Sequence, residues 1–161
     1  QYDKFVGQAY NLIYDDKTLP SVMERLSAGN NPVENLASTT LMAVRRVKES
    51  ADKNGVPIDN RVMMHGGSEV AQDLANLAEK AGIHEYSEKE VKQAYYLAVD
   101  MYVAQAKQNG THDEQAAERD RQMLAQAEQA GQIDKVLPGA KQVIEDGRNA
   151  EPGARQQKER R

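Results

Sequence analysis

The sequence has no cysteine and no tryptophan, and Phe5 is its single phenylalanine. Without thiols there are neither disulfides nor thiolate metal sites, which fits a reducing compartment or a particle assembled in one. Aromatic residues make up 5% of the chain, so its interior must be built from Ala, Leu, Val, Met and Tyr. That material suits packed helices better than a sheet. No apolar run comes near the roughly 18 residues that a membrane span needs, and no signal-peptide pattern opens the chain. Charge of one sign does not dominate either: the net charge is −4 over 161 residues. A duplex-DNA reader normally carries a dominant basic surface.

The charge is unevenly placed. Arg148, Arg155, Lys158, Arg160 and Arg161 stand against two acids in residues 148–161, a net of +3, which leaves −7 for everything before them. This basic tail is the part suited to an anionic partner, nucleic acid included; the plainer role of such a tail is to keep a terminus solvated.

What the sequence does have is regular helix punctuation. Tyr2 to Tyr14 carries apolar residues at helical spacing, and Leu19-Pro20-Ser21 starts a short helix stopped by Gly29. Asn31, Pro32 and Glu34 form a start signal for a helix running to Asn54-Gly55. On it Val33, Leu36, Ala37, Thr40, Leu41, Val44 and Val47 share one face, with Arg45, Arg46, Lys48 and Glu49 on the other. After the connector Val56-Pro57-Ile58, Asp59 caps a helix that ends at Gly82. Ser87 to Glu90 is a capping box for a helix stopped at Asn109-Gly110, and Thr111 with Glu114 suggests another, for a polar helix stopped by Gly131. The expectation is an all-α protein: a compact bundle of about five helices in residues 1–110, a projecting polar helix in 111–131, and a weakly structured segment with the basic tail in 132–161.

Inside the helix after Asp59, His65-Gly66-Gly67-Ser68 poses the main question. Two adjacent glycines cost a helix about 2 kcal/mol relative to alanines, so something must need the missing side chains. An oxyanion segment of the lipase type would require a G-x-S-x-G elbow after a strand, and none is present. Met63, Gly67, Val70, Leu74, Leu77 and Ala81 instead follow one helical seam, with Gly66 beside it. We therefore expect one helix with a close contact at the glycine pair, rather than a broken one; its partner is the helix from Val33 or a neighbouring subunit.

Other chemistry is sparse. His65, His84 and His112 lie on three segments without metal-ligand spacing, and Asp15-Asp16 and Asp113-Glu114 fit turn and helix-end roles. Tyr86, Tyr95, Tyr96 and Tyr102 lie among acids, so packing suits them better than stacking of bases, which comes with a basic groove. Arg45-Arg46 sits too near its helix end for a recognition face. No catalytic, metal or cofactor site is expected, nor a small-molecule substrate. The polar helix, with a thin stripe of Ala116, Ala117, Met123, Leu124 and Ala127, is expected to be an arm used in assembly.

The stretch NPVENLASTTLMAVRRVKESADKNGVPIDNRVMMHGGSEVAQDLANLAEKAGI, and with it residues 1–110, resembles small helical structural proteins of tailed-bacteriophage virions. The resemblance implies a virion component, internal or ejected or near the portal and tail, assembled in the host cytoplasm. It implies protein partners and a homo-oligomer or multi-subunit particle, and supplies no site residues. The alternative is an accessory factor for nucleic-acid packaging or regulation that uses the basic tail.

Overall fold

The computed structural model describes residues 1–132 and Lys135, without the side chains of Leu124 and Glu128. Apart from Lys135, the expected segment after Gln132, including Arg148, Arg155, Lys158, Arg160 and Arg161, lies outside the described residues, as does the side chain of Leu124. Among the described residues all regular structure is helical: α1 (Tyr2–Tyr14), α2 (Leu19–Leu26), α3 (Pro32–Lys53), α4 (Asn60–Lys80), α5 (Glu88–Gln108) and α6 (Glu114–Gln129). Residues Gln1–Asp113 form one compact unit, and a second begins at Glu114.

Local chemistry sets the helix ends. Asn31 accepts a hydrogen bond from the Glu34 amide at 3.2 Å, and Asp59 accepts one from the Arg61 amide at 2.8 Å. Ser87 and Glu90 complete a reciprocal box: the Glu90 amide donates to Ser87 Oγ, and the Ser87 amide donates to the Glu90 carboxylate. At the end of α4 the Ile83 amide donates to the Ala78 carbonyl and the Gly82 amide to that of Glu79, a Schellman closure that needs the left-handed backbone of Gly82 (φ 70°). The same closure recurs after α3 and α5.

Thr111 departs from expectation. Its hydroxyl donates back to the Ala106 carbonyl at 3.3 Å, completing the end of α5, and α6 starts only at Glu114. A hydroxyl that close to orphan carbonyls serves the helix behind it.

α3 is the centre of the body and touches α1, α2, α4 and α5. Its buried face holds Leu36, Ala37, Thr39, Thr40, Leu41, Ala43 and Val47, wider than the expected stripe; Val33 and Val44 are half-buried. Phe5, Ala9 and Ile13 of α1, Val22 and Leu26 of α2, Val70, Ala71 and Leu74 of α4, and Val91, Ala94 and Tyr95 of α5 close the core around it. Arg45, expected on the solvent side, is half-buried. It donates to Gln105 Oε1 on α5 at 2.9 Å and to Glu49 at 3.1 Å.

In the core, Thr39 donates its hydroxyl to the Asn35 carbonyl at 2.7 Å. The Thr40 hydroxyl, equally buried, has no partner among the described residues. A buried hydroxyl without a bond costs about 1–3 kcal/mol, which a near-isosteric apolar group avoids. Thr40→Val is therefore expected to raise unfolding stability by about 1 kcal/mol in urea denaturation; a loss of that size would show that the hydroxyl is bonded.

Candidate functional site

The glycine pair is where sequence and structure meet most directly. α4 runs through His65-Gly66-Gly67-Ser68 without a break. Both glycines are buried, His65 is exposed, and Ser68 Oγ donates to the His65 carbonyl at 2.8 Å. Inside a helix the amides of Gly66 and Gly67 point along the axis to the carbonyls four residues back, so the tetrapeptide here is a packing element.

The contact differs from expectation in position and kind. At Gly66 a Cβ would lie 2.6 Å from Cε1 of Phe5, and closer still to Cδ1. At Gly67 it would meet Val44 at 3.6 Å and Tyr95 at 3.7 Å, which is ordinary contact. The tight position is thus Gly66, and what fills it is an aromatic ring of α1. Neither a backbone crossing nor the helix from Val33 makes that contact, although Val44 of that helix does face Gly67. The missing side chain is replaced from within the chain. Of the expected seam, Met63, Val70 and Leu74 are buried, Leu77 is half-buried and Ala81 is exposed; Ala71, Ala75 and Ala78 complete the buried face.

Around the pair lie further ties that the sequence pattern did not reveal. Tyr2 stacks on His65, with ring centroids 4.7 Å apart and planes 29° apart. Tyr95, with its ring beside Gly67, donates its hydroxyl to the Met64 carbonyl at 2.8 Å. Gln1 donates to the Pro57 carbonyl and accepts from the Asp59 amide in two long hydrogen bonds of 3.4 and 3.5 Å. Phe5 was the missed partner, and its rarity was the available signal: a glycine pair in a core of small residues needs a large neighbour.

The other candidates are dispersed. His84 lies 3.2 Å from Glu90 and edge-on to Tyr86 at 4.5 Å. Glu90 carries the capping bonds of Ser87, which hold its carboxyl below the usual value, with His84 adding to the effect. The Tyr86 hydroxyl donates to the Pro32 carbonyl at 2.8 Å, tying the α4–α5 loop to the start of α3. Tyr96 packs edge-on to Tyr95, with ring centroids 5.3 Å apart, and Tyr102 is half-buried. Tyr14 donates to Asp73 at 2.8 Å. In the second unit, Met123 is 38% exposed and Ala127 is buried, while Ala116 and Ala117 are half-buried. An open depression there is lined by Glu114, Gln115, Glu118 and Arg119. Among the described residues no group of three or more His, Cys, Asp or Glu could hold a metal ion, and no helix is long and apolar enough to cross a membrane.

Compared with family models, curated proteins and solved structures, the chain matches none.

Two predictions follow from this geometry. Gly66→Ala is expected to destabilise the protein by about 1–3 kcal/mol, because a rigid buried ring must move. Gly67→Ala should be neutral or stabilising by up to about 1 kcal/mol; denaturant midpoints showing the reverse order would contradict the Phe5 contact. The tyrosines give the second. Burial, then the Asp73 hydrogen bond, pushes Tyr14 up to about 12, and burial, then the charge of Glu90, pushes Tyr86 up to about 12. Burial first and Tyr96 second raise Tyr95 as well. A phenol raised in the folded state contributes stability that is complete below its ordinary value of 10.0 and is lost as pH climbs through the folded value. These three should stay protonated at pH values where unperturbed tyrosines ionise, and stability should fall as pH approaches about 12. An absorbance titration of all seven tyrosines in one step near 10.0 would contradict this.

Proposed function

We propose that the protein is a non-enzymatic structural component of a multi-subunit particle, a tailed-phage virion protein that is internal, ejected or associated with the portal and tail, and that it acts through helix-mediated protein contacts made by α6. The observation that carries this reading is Met123. A large apolar side chain stands exposed on a sixteen-residue helix that belongs to a unit distinct from the body. Exposed methionine on a mostly polar helix suits an adaptable protein contact. The resemblance of the stretch from Asn31 to Ile83 to virion structural proteins supports the particle. A second reading, a nucleic-acid packaging or regulatory factor, draws on the five basic residues between Arg148 and Arg161.

Native mass measurement and particle incorporation of the full chain test this. Wild type is expected to associate, and Met123→Glu to weaken association about tenfold or more, since covering a methionine contributes roughly 1.5–3 kcal/mol. Replacing Arg148, Arg155, Lys158, Arg160 and Arg161 with glutamine should leave that association intact. A wild-type monomer that never enters particles would sink the proposal. Association that vanishes with the basic residues and falls steeply with salt would transfer the function to nucleic acid.

A further inference from the structure

We infer that the first turn of α1 is a latch that holds the first two turns of α4 in line, and that α4 hinges at Gly66-Gly67 when the latch lifts. This stands independently of the assembly proposal.

The segment of α4 before the pair, Asn60 to His65, is six residues long. An isolated helix of that length is unstable in water, so its order comes from what touches it. Its one buried side chain is Met63. Val62 is half-buried against the core, and four further ties hold the segment, its boundary at Gly66 and the connector before it; three of them come from one stretch of five residues: Gln1 on Pro57 and Asp59, Tyr2 on His65, and Phe5 over Gly66. The fourth is the Tyr95 hydroxyl on the Met64 carbonyl. On the connector Val56 is 54% exposed, and Ile58 alone is half-buried against the core.

The pair is also a place of low helix propensity. Both glycines favour the coil. The two carbonyls just before them, of Met64 and His65, each accept a side-chain hydroxyl, from Tyr95 and Ser68. Helices bend where glycines coincide with side-chain groups inserted at ladder carbonyls. Beyond the pair, by contrast, Val70, Ala71, Leu74, Ala75 and Ala78 are buried, so that length of α4 is held by the core. Lifting the first turn of α1 therefore loosens one end of α4, which keeps Met63, Val62 and the Tyr95 bond, and leaves the other end in place. Such sub-global units open below the cost of complete unfolding.

Amide hydrogen exchange on the full chain decides this. In the wild type, amides of Met64 to Gly66 should exchange at least about tenfold faster than those of Leu74 to Ala78, the signature of a local opening. Tyr2→Ala removes a half-exposed stacking partner at the edge of the core, and should speed exchange at Met64 to Gly66 about fivefold, with Leu74 to Ala78 unchanged. Gly67→Ala, for which there is room, should slow the same amides about fivefold. Equal exchange at the two ends of α4 in the wild type, or variants that shift both ends together, would overturn the latch.

Discussion

A ring standing where a side chain is missing organises this protein. Phe5 of α1 occupies the space that any residue but glycine at position 66 would fill, and so brings α1 onto α4. The rest of the interior is consistent with that choice. Ala9 on α1, and Ala71, Ala75 and Ala78 on α4, are small residues that let helices approach closely. In a chain with one phenylalanine and no tryptophan, a large apolar volume is scarce and is placed where Gly66 receives it. Packing at crystal-like density makes the match specific, since an added methyl has nowhere to go.

Tyrosine supplies what phenylalanine does not. Tyr95 and Tyr86 each present an apolar body to the core and donate a hydroxyl to a backbone carbonyl on another helix, Met64 and Pro32 respectively. These bonds connect α5 to α4, and the loop before α5 to the first residue of α3. The amphipathic side chain thus joins elements while satisfying its own polar tip. Acids nearby serve the same architecture: Asp73 receives Tyr14, and Glu90 receives Ser87.

Helix ends were legible in the sequence because their causes are local. Gly29, Gly55, Gly82, Gly110 and Gly131, taken as stops, all have positive φ, and Asn31, Asp59 and Ser87 cap as their neighbours suggest. Thr111 failed because two helix ends compete for one hydroxyl, and sequence order does not say which wins. The seam on α4 holds in part at Leu77, half-buried against the core, and ends before Ala81 for a different reason. A fixed spacing assumes one partner along the whole helix, whereas α4 packs on α1, α3 and α5, so its buried face moves toward Ala71, Ala75 and Ala78. The glycine pair was legible as a place of close contact, but its partner was not. Phe5 is about sixty positions away, and nothing in local periodicity links the two.

That distant partner changes what the pair means for function. A glycine face awaiting another molecule and one filled from within the chain are written alike in sequence. Here the ring of Phe5 and the ring of Tyr95 lie on either side, so the pair serves the body's own cohesion. The proposed assembly contacts would then draw on surface elsewhere, and Met123 on α6 is an exposed apolar group outside the body. The glycines themselves acquire a mechanical role. A helix continuous only while one turn of its neighbour remains docked responds to anything that takes hold of that turn. A coupling of that kind needs no ligand pocket, only a short segment whose ties are concentrated in Gln1, Tyr2 and Phe5.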